Sequence, residues 1–316
     1  MRNFADLLTD KIAELNNPTV MGLDPRIEYI PDSIKDKYNK ELGNDPEMAT
    51  AWSIYEFNTK LIDAVSDIVP AIKPQFAYYE MYGVQGLEVL KKTIKYAQMK
   101  GMIVIADAKR NDIGSTATAY ADGIIGSTEL VGGSNMSMFN ADCVTVNGYL
   151  GVDGIKPFLD VCARDGKGIF ALVRTSNPSA GDLQDLKLED GRTVYEAMAD
   201  KVNEWGKSLI GNNGFSSVGA VVGATWPEQA VQIRKRMPES LILVPGYGAQ
   251  GAGADAAVAS FTKDGRGSIV NASRSLMCAW KKRSDLEPDD FMTATRDEAI
   301  DMRDKLNNAL KDRKYV

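Results

Sequence analysis

The sequence predicts a closed barrel of eight parallel strands surrounded by helices, the (β/α)8 TIM-barrel fold. Short apolar runs recur along the chain, and each is followed by a polar or glycine-rich turn and then a helix-like segment. Runs buried on both faces that alternate with helices indicate a parallel sheet, and eight such units match a closed barrel. An open doubly wound sheet is the alternative, but no Gly-x-Gly-x-x-Gly motif follows the first run to favour it. The eight runs are residues 19–23, 69–73, 102–107, 143–146, 168–173, 218–223, 241–245 and 268–271.

Length and composition indicate one α/β domain over residues 1–316 that binds a small molecule. The 316 residues are 44% hydrophobic, enough for a large core, and the net charge of -6 argues against nucleic acid or an anionic membrane as a partner. There is no secretory signal and no apolar run of membrane-spanning length, so we expect a soluble cytoplasmic protein. The three cysteines are widely spaced without a Cys-x-x-Cys pair, which favours reduced, buried thiols.

Segments outside the eight repeats are predicted as additions to the barrel. An amphipathic helix begins near Phe4, and a second helical pattern at 288–313 is expected to pack outside the barrel. Two segments are predicted to be loop or short-helix insertions. One is the polar stretch between Asp24 and a helix around 54–65, and the other is the Gly- and Ser-rich segment after Tyr120. The polar segment 176–192, which follows the fifth strand, is long enough to be a lid.

The third apolar run leads directly into a cluster of alternating charges. Residues two apart on a strand point to the same side, so Asp107 and Lys109 should project together, with Asp112 a short way into the following loop. The alternative is an ordinary solvated turn, because most charged side chains are exposed. Since the chain contains 0 histidines, acid–base chemistry must depend on lysine, aspartate, glutamate or tyrosine.

Polar residues collect where the predicted strands end, and in barrels that end carries the active site. After the seventh and eighth strands, a glycine-rich loop at 246–251 leaves backbone N–H groups unobstructed and Arg274 supplies a guanidinium, which predicts a phosphate site. A plain glycine turn with a surface arginine is the alternative. The other strand ends carry Asp24, Lys73, Asn147, the stretch 174–176 and Thr225.

Six motifs follow one another over nearly the whole chain. They are Gly22-Leu23-Asp24-Pro25-Arg26, Lys73-Pro74, Asp107-x-Lys109-x-x-Asp112 with Thr116, Ser176-Asn177-Pro178, Pro245-Gly246-x-Gly248-Ala249-Gln250-Gly251 and Arg274. In this order they resemble orotidine 5′-phosphate decarboxylase in its longer bacterial, type 2 form. The resemblance implies a homodimeric barrel that converts orotidine 5′-monophosphate to uridine 5′-monophosphate and CO2, the last step of de novo UMP synthesis, without metal or organic cofactor.

The resemblance also implies a role for each matching residue. Lys109 would protonate C6 of the pyrimidine, and Asp107 would lie against the departing carboxylate. Lys73 and Asp112 would complete the charge network, with Asp112 supplied by the other subunit. The substrate-binding residues would be Asp24 and Thr116 on the ribose, Thr116 again from the neighbour, Ser176 on the pyrimidine, and Gln250, Arg274, Gly248 and Gly251 at the phosphate.

Three other functions are alternatives to this one. A metal-dependent sugar-phosphate decarboxylase or synthase of the same barrel group also carries Asp-x-Lys-x-x-Asp, but it needs an acidic metal ligand near the second strand, where Glu80 is the nearest candidate. A non-catalytic nucleotide-binding barrel would not need both Lys73 and Lys109 together with both aspartates. A structural oligomerisation domain would not need the phosphate loop.

Overall fold

The computed structural model describes residues 2–248, 251 and 253–313. Eight parallel strands close into a barrel in the order β1-β2-β3-β6-β7-β8-β9-β10, and β10 pairs with β1. The predicted fold class is therefore confirmed. The strands are β1 (Thr19–Leu23), β2 (Ala71–Pro74), β3 (Ile103–Arg110), β4 (Thr128–Glu129), β5 (Asn135–Met136), β6 (Cys143–Val146), β7 (Gly168–Arg174), β8 (Ser216–Val222), β9 (Ser240–Val244) and β10 (Ser268–Ala272).

Helices follow or precede the barrel strands and cover the outside of the sheet. Short 3-10 turns lie at Ile27–Tyr29, Gly148–Leu150, Pro178–Ala180, Lys207–Leu209, Val258–Ser260, Ala279–Lys282 and Pro288–Asp290. The α-helices are α1 (Phe4–Leu15), α2 (Asp32–Leu42), α3 (Pro46–Val65), α4 (Ala77–Glu80), α5 (Gly83–Met99), α6 (Gly114–Ile124), α7 (Val152–Asp165), α8 (Gly181–Gln184), α9 (Val194–Gly206), α10 (Pro227–Arg236), α11 (Ala254–Ala257), α12 (Arg274–Met277) and α13 (Phe291–Asp312).

The amino-terminal helix α1 closes one end of the barrel. It begins at an Asn3 cap whose Oδ1 accepts the N–H of Ala5 at 2.7 Å. Phe4 packs edge-on against Phe170 inside the barrel, with ring centroids 6.1 Å apart. A Cβ at Gly168 would lie 2.1 Å from the Phe4 ring, so only glycine lets the strand approach this closely. The amino ends of the strands are covered, which leaves the carboxyl ends for a site.

The insertion after Asp24 is more helical than the loop or short helix predicted for it, and the insertion after Tyr120 also differs from its prediction. The first contains α2 and then α3, which begins at an Asp45 cap. The second is predicted to be a loop or short helix, but it completes α6 and then forms the antiparallel hairpin β4–β5. Gly132 and Gly133 turn this hairpin with φ of 96° and 80°, a backbone conformation that favours glycine.

The carboxyl-terminal helix α13 packs outside the barrel against α3, as the sequence predicts. The ring centroids of Phe291 and Phe57 lie 5.2 Å apart.

The three cysteines, Cys143, Cys162 and Cys278, are free and buried. Across the described ranges, no helix combines the length and apolarity needed to cross a membrane.

Arg234 on α10 is a buried cation whose guanidinium bonds mainly to backbone carbonyl groups, with one further bond to the Ser268 hydroxyl. Its side chain is only 7% exposed. It links α10 to the segments that enter β9 and β10, and its guanidinium satisfies carbonyl groups that would otherwise be buried without a donor. The carbonyl acceptors are those of Ser260, Met237, Pro238, Ser240 and Gly267, at 2.7–3.2 Å.

We expect Arg234→Met to lower the free energy of unfolding by about 3 kcal/mol or more, because several buried carbonyls lose their donors at once. Urea unfolding followed by circular dichroism measures the change. Arg236→Met is the matched control, since Arg236 lies on the same helix but forms ion pairs near the surface with Glu196 and Asp200. Its expected cost is within about 1 kcal/mol. Equal losses in both variants would contradict the role of the carbonyl contacts.

Candidate active site

One buried carboxylate, Asp107, joins two lysines at the carboxyl end of the barrel. Lys73 at the end of β2 places Nζ 2.6 Å from Asp107 Oδ2, and Lys109 places Nζ 2.6 Å from Asp107 Oδ1. Lys73 and Asp107 are almost fully buried, whereas the Lys109 side chain is 46% exposed. The cluster is therefore a buried ion pair with a second cation facing solvent.

The electrostatics of this cluster keep the buried pair charged. Burial opposes the charged form of Asp107, but the charges of Lys73 and Lys109 outweigh it and hold the pKa of Asp107 well below its usual range. Burial likewise opposes the charged form of Lys73, but the carboxylates of Asp107 and Asp24 outweigh it and raise the pKa of Lys73. At neutral pH the site therefore holds a fixed negative charge between two lysines.

Two further side chains complete the hydrogen bonding of Asp107, and the sequence prediction missed both. Gln75 donates Nε2 to Oδ2 at 3.0 Å, and Thr145 on β6 donates Oγ1 to Oδ1 at 2.9 Å. Gln75 lies two residues after Lys73, so the same spacing rule that pairs Asp107 with Lys109 could have found it. Thr145 offered a weaker signal, a single hydroxyl in an otherwise apolar strand.

A cavity of about 460 Å³ opens beside this cluster. Of the predicted site residues, Asp24, Lys73, Asp107 and Arg274 line it. Within the described ranges, Asp24 Oδ1 and Asn271 Oδ1 are buried oxygens that have no hydrogen-bond partner. Buried polar atoms are normally paired, so these two oxygens are suited to receive hydroxyl or amide donors from a ligand.

The described part of the predicted phosphate loop reaches the same cavity as Arg274. Gly246 lines this cavity, and so does Arg274, the first residue of α12. Gly248 and Gly251 have φ of 69° and 90°, so both depend on the conformational freedom of glycine. Gln250, the other predicted phosphate ligand, lies outside the described residues.

Three of the predicted site residues make no contact with the Lys73–Asp107–Lys109 cluster of their own chain. Asp112 accepts the N–H of Ile113 at 2.8 Å, and among the described residues it forms no ion pair. Thr116 is exposed on α6. Ser176 packs against Gly223, so closely that a Cβ added to Gly223 would lie 2.8 Å from the Cβ of Ser176. The chain by itself thus brings together Lys73, Asp107 and Lys109 but not Asp112.

The segment 176–192 is tied to the barrel by Arg174 at the end of β7. The Arg174 guanidinium is fully buried over the Trp226 ring and donates to Gln184 Oε1 at 3.1 Å and Asp185 Oδ2 at 3.3 Å. Gln184 also accepts the N–H of Thr175 at 2.9 Å. The predicted lid therefore has a fixed attachment immediately before Ser176, and its closure stays a prediction.

Glu80, the candidate metal ligand, forms an ion pair with an arginine side chain in this structure. Its carboxylate pairs with Arg110, whose guanidinium also lies over the rings of Phe76 and Tyr120. No three His, Cys, Asp or Glu side chains come together as a possible metal centre in the described parts of the chain.

A barrel with a Lys–Asp–Lys cluster beside a glycine- and arginine-lined cavity is typical of one class of protein: barrel enzymes that work with lysine and aspartate. The particular family follows from comparison with known proteins. Residues 22–287 match the model of the orotidine 5′-phosphate decarboxylase / HUMPS family, and the chain belongs to this family. The resemblance predicted from the motifs is confirmed.

Relatives and solved structures support the same assignment. A protein named orotidine 5′-phosphate decarboxylase from Rhodopirellula baltica is 43% identical over 97% of this chain and 99% of its own length. A protein of that name from Caldicellulosiruptor bescii is 43% identical over 93% of this chain and 96% of its own. The structure of Leishmania donovani OMP decarboxylase is 30% identical, with a TM-score of 0.73, and the match covers 98% of this chain and 99% of that one.

Proposed function

We propose that this protein decarboxylates orotidine 5′-monophosphate to uridine 5′-monophosphate and CO2, the last step of de novo UMP synthesis. The observation that carries the proposal is the Lys73–Asp107–Lys109 cluster, of which Lys73 and Asp107 line a cavity together with Arg274. The names of the full-length relatives agree with it. The reaction needs neither metal nor organic cofactor in this proposal, because the charges come from the chain itself.

The reaction explains why fixed charges are wanted. When the bond between C6 and the carboxylate breaks, the electron pair stays on a vinylic carbon without an adjacent carbonyl to accept it as an enolate. Lys109 Nζ, the accessible cation of the cluster, stabilises this developing negative charge, which is commonly the largest catalytic effect. It then transfers a proton to C6, which forms the C6–H bond of the product, and regains a proton from water.

Asp107 has two proposed roles. It holds both lysines, and it stays ionised because four donors satisfy its carboxylate. In the substrate complex it would lie against the departing carboxylate, where its charge repels the substrate more than the products. We assign the larger share of catalysis to carbanion stabilisation by Lys109.

The substrate-binding assignments follow the resemblance to the family, and of those residues that the structure describes, Asp24 and Arg274 line the cavity. Asp24, which has an unpartnered buried oxygen, is proposed to accept a ribose hydroxyl. Arg274 is proposed to bind the phosphate with Gln250 and the backbone at Gly248 and Gly251. Ser176 is proposed to contact the pyrimidine from the end of the anchored segment 176–192. Phosphate binding would favour closure of this segment, which excludes water and strengthens the charge interactions.

We further propose a homodimer in which Asp112 and Thr116 serve the partner's site. Asp112 forms no ion pair in the described part of its own chain, and large exposed side chains follow both it and the neighbouring strand β6. Ile113, the next residue, is 53% exposed, and Tyr149, in the turn after β6, is 73% exposed. A second copy that covers these side chains would bring Asp112 to a neighbouring Lys109. The proposed compartment is the cytoplasm.

The decisive experiment follows the loss of absorbance of orotidine 5′-monophosphate with the purified protein, with and without a chelator. The proposal predicts turnover that the chelator does not change. Chelator-sensitive turnover of a sugar phosphate would instead favour the metal-dependent branch of the barrel group. Binding of the nucleotide without turnover would indicate a non-catalytic barrel.

Arg274→Ala should weaken binding of uridine 5′-monophosphate but leave binding of uridine almost unchanged. Loss of a charge-assisted contact costs about 1.5–3 kcal/mol, roughly ten- to a hundredfold in Kd. Isothermal titration with both ligands measures the difference. Arg283→Ala is a suitable control, because Arg283 pairs with Asp285 and Asp297 on the surface. An equal loss of affinity for both ligands would show that Arg274 does not bind the phosphate.

A further inference from the structure

Thr145 connects the two central residues of the charge cluster through one buried hydroxyl. Thr145 is 1% exposed, and its Oγ1 donates to Asp107 Oδ1 at 2.9 Å. The same oxygen accepts the backbone N–H of Lys109 at 2.9 Å. One hydroxyl therefore holds both the carboxylate of Asp107 and the main chain of Lys109, while Lys109 Nζ bonds to the same carboxylate oxygen.

The backbone around Lys109 shows why such a link is needed. Ala106 pairs with Val144 and Arg110 with Val146, so residues 107–109 of β3 lie opposite Thr145 alone in β6. Three residues opposite one form a β-bulge, which points side chains in directions that a regular strand pair does not allow. Lys109 has φ of 48°, in the left-handed region that is uncommon and strained for a residue other than glycine.

We infer that Thr145 is a positioning residue for the proposed reaction: its hydroxyl holds the 107–109 bulge in the conformation that brings Lys109 Nζ onto Asp107 at the edge of the cavity. The oxygen accepts the Lys109 N–H in the left-handed conformation, and the hydroxyl hydrogen is donated to Asp107. Valine has nearly the same shape but can make neither bond. The inference rests on the proposed decarboxylation only for its kinetic consequence.

The kinetic test compares Thr145→Val with Thr145→Ser. We expect Thr145→Val to reduce kcat about tenfold or more, because hydrogen bonds that orient charged groups are lost. The Kd for uridine 5′-monophosphate should change by less than about threefold, since phosphate and ribose contacts set it. Thr145→Ser retains the hydroxyl and should restore most of kcat. Thr93→Val is the matched control, because Thr93 is a fully buried threonine whose hydroxyl accepts from Asn58 on the outer helices.

A structural readout separates this inference from the proposed function. In a crystal structure of unliganded Thr145→Val, Lys109 is expected to leave the left-handed region, while Thr145→Ser keeps it there. That comparison decides the positioning role even if the wild-type protein did not turn over orotidine 5′-monophosphate, a result that would contradict only the proposed function. If Thr145→Val does not fold, Thr145→Ala replaces it, because the smaller side chain cannot clash. Thr145→Val with unchanged Lys109 geometry and kcat, or Thr145→Ser as impaired as Thr145→Val, would overturn the inference.

Discussion

Lys109→Ala is expected to lose turnover of orotidine 5′-monophosphate by at least about 10⁴-fold. Two effects disappear together, since the ammonium group both stabilises the developing carbanion and donates the proton. General acid catalysis alone typically contributes about 10²–10⁴-fold and a preorganised charge about 10²–10³-fold. No histidine exists in the chain to take over the proton transfer. The absorbance assay under single-turnover conditions measures the loss of the chemical step.

The fold should survive this substitution, because the Lys109 side chain is 46% exposed and the buried partner of Asp107 is Lys73. Lys100→Ala is the matched control: Lys100 pairs with Asp63 at the same distance of 2.6 Å and is 40% exposed, but it follows α5 at the amino end of β3, whereas the cluster lies at the carboxyl end of that strand. Lys109→Arg should fail almost as badly, because a guanidinium group is a poorer proton donor than an ammonium group and is larger and planar. Retention of a substantial fraction of the wild-type rate by Lys109→Ala would remove Lys109 from the acid role.

Mixed dimers of two inactive variants should recover activity if the active site is shared between subunits. In a heterodimer of a Lys109→Ala chain with an Asp112→Ala chain, one site receives both defects and the other receives neither. Unfolding the variants together and refolding an equal mixture makes about half of the dimers mixed by random pairing, so about a quarter of the wild-type activity should return. The activity of the refolded mixture, compared with refolded wild type, measures the recovery.

The structure supplies a sharp control for this experiment. Asp107 and Lys109 meet within one chain, so a mixture of Lys109→Ala with Asp107→Ala leaves one defect in every site whatever the dimer. That mixture should recover nothing. Native mass spectrometry establishes that mixed dimers have formed in both cases. If mixed dimers of Lys109→Ala and Asp112→Ala are present but inactive, Asp112 serves its own subunit, and the intersubunit assignment is wrong while the barrel remains.

Most of the barrel could be predicted from the sequence because its signals are local. The eight apolar runs match the eight barrel strands to within three residues at each end. The largest difference is at β3, which continues to Arg110 because the bulge opposite Thr145 lets the chain keep pairing beyond Asp107. The hairpin β4–β5 was outside the prediction, since its strands of two residues each carry no periodic pattern.

The candidate site could be predicted where its residues are close in sequence or follow a shared motif. Asp107 and Lys109 are two apart on one strand, and their side chains meet as predicted, although they do so through a bulge and not through regular strand alternation. The roles of Asp24, Thr116, Ser176 and Gln250 came from the resemblance to the family and remain proposals. The contribution of Gln75 was missed although its spacing from Lys73 was visible in the sequence.

The sequence by itself therefore determined the barrel, the family and the charged strand end, because periodicity and short motifs depend only on neighbouring residues. The tertiary structure alone decided which groups share Asp107: Lys73 comes from β2, Thr145 from β6, and the left-handed backbone of Lys109 turns its ammonium group back onto the carboxylate. These contacts depend on the register between strands and on one bulge. A sequence pattern of period two specifies which face a side chain occupies, but not how far one strand has slipped past its neighbour.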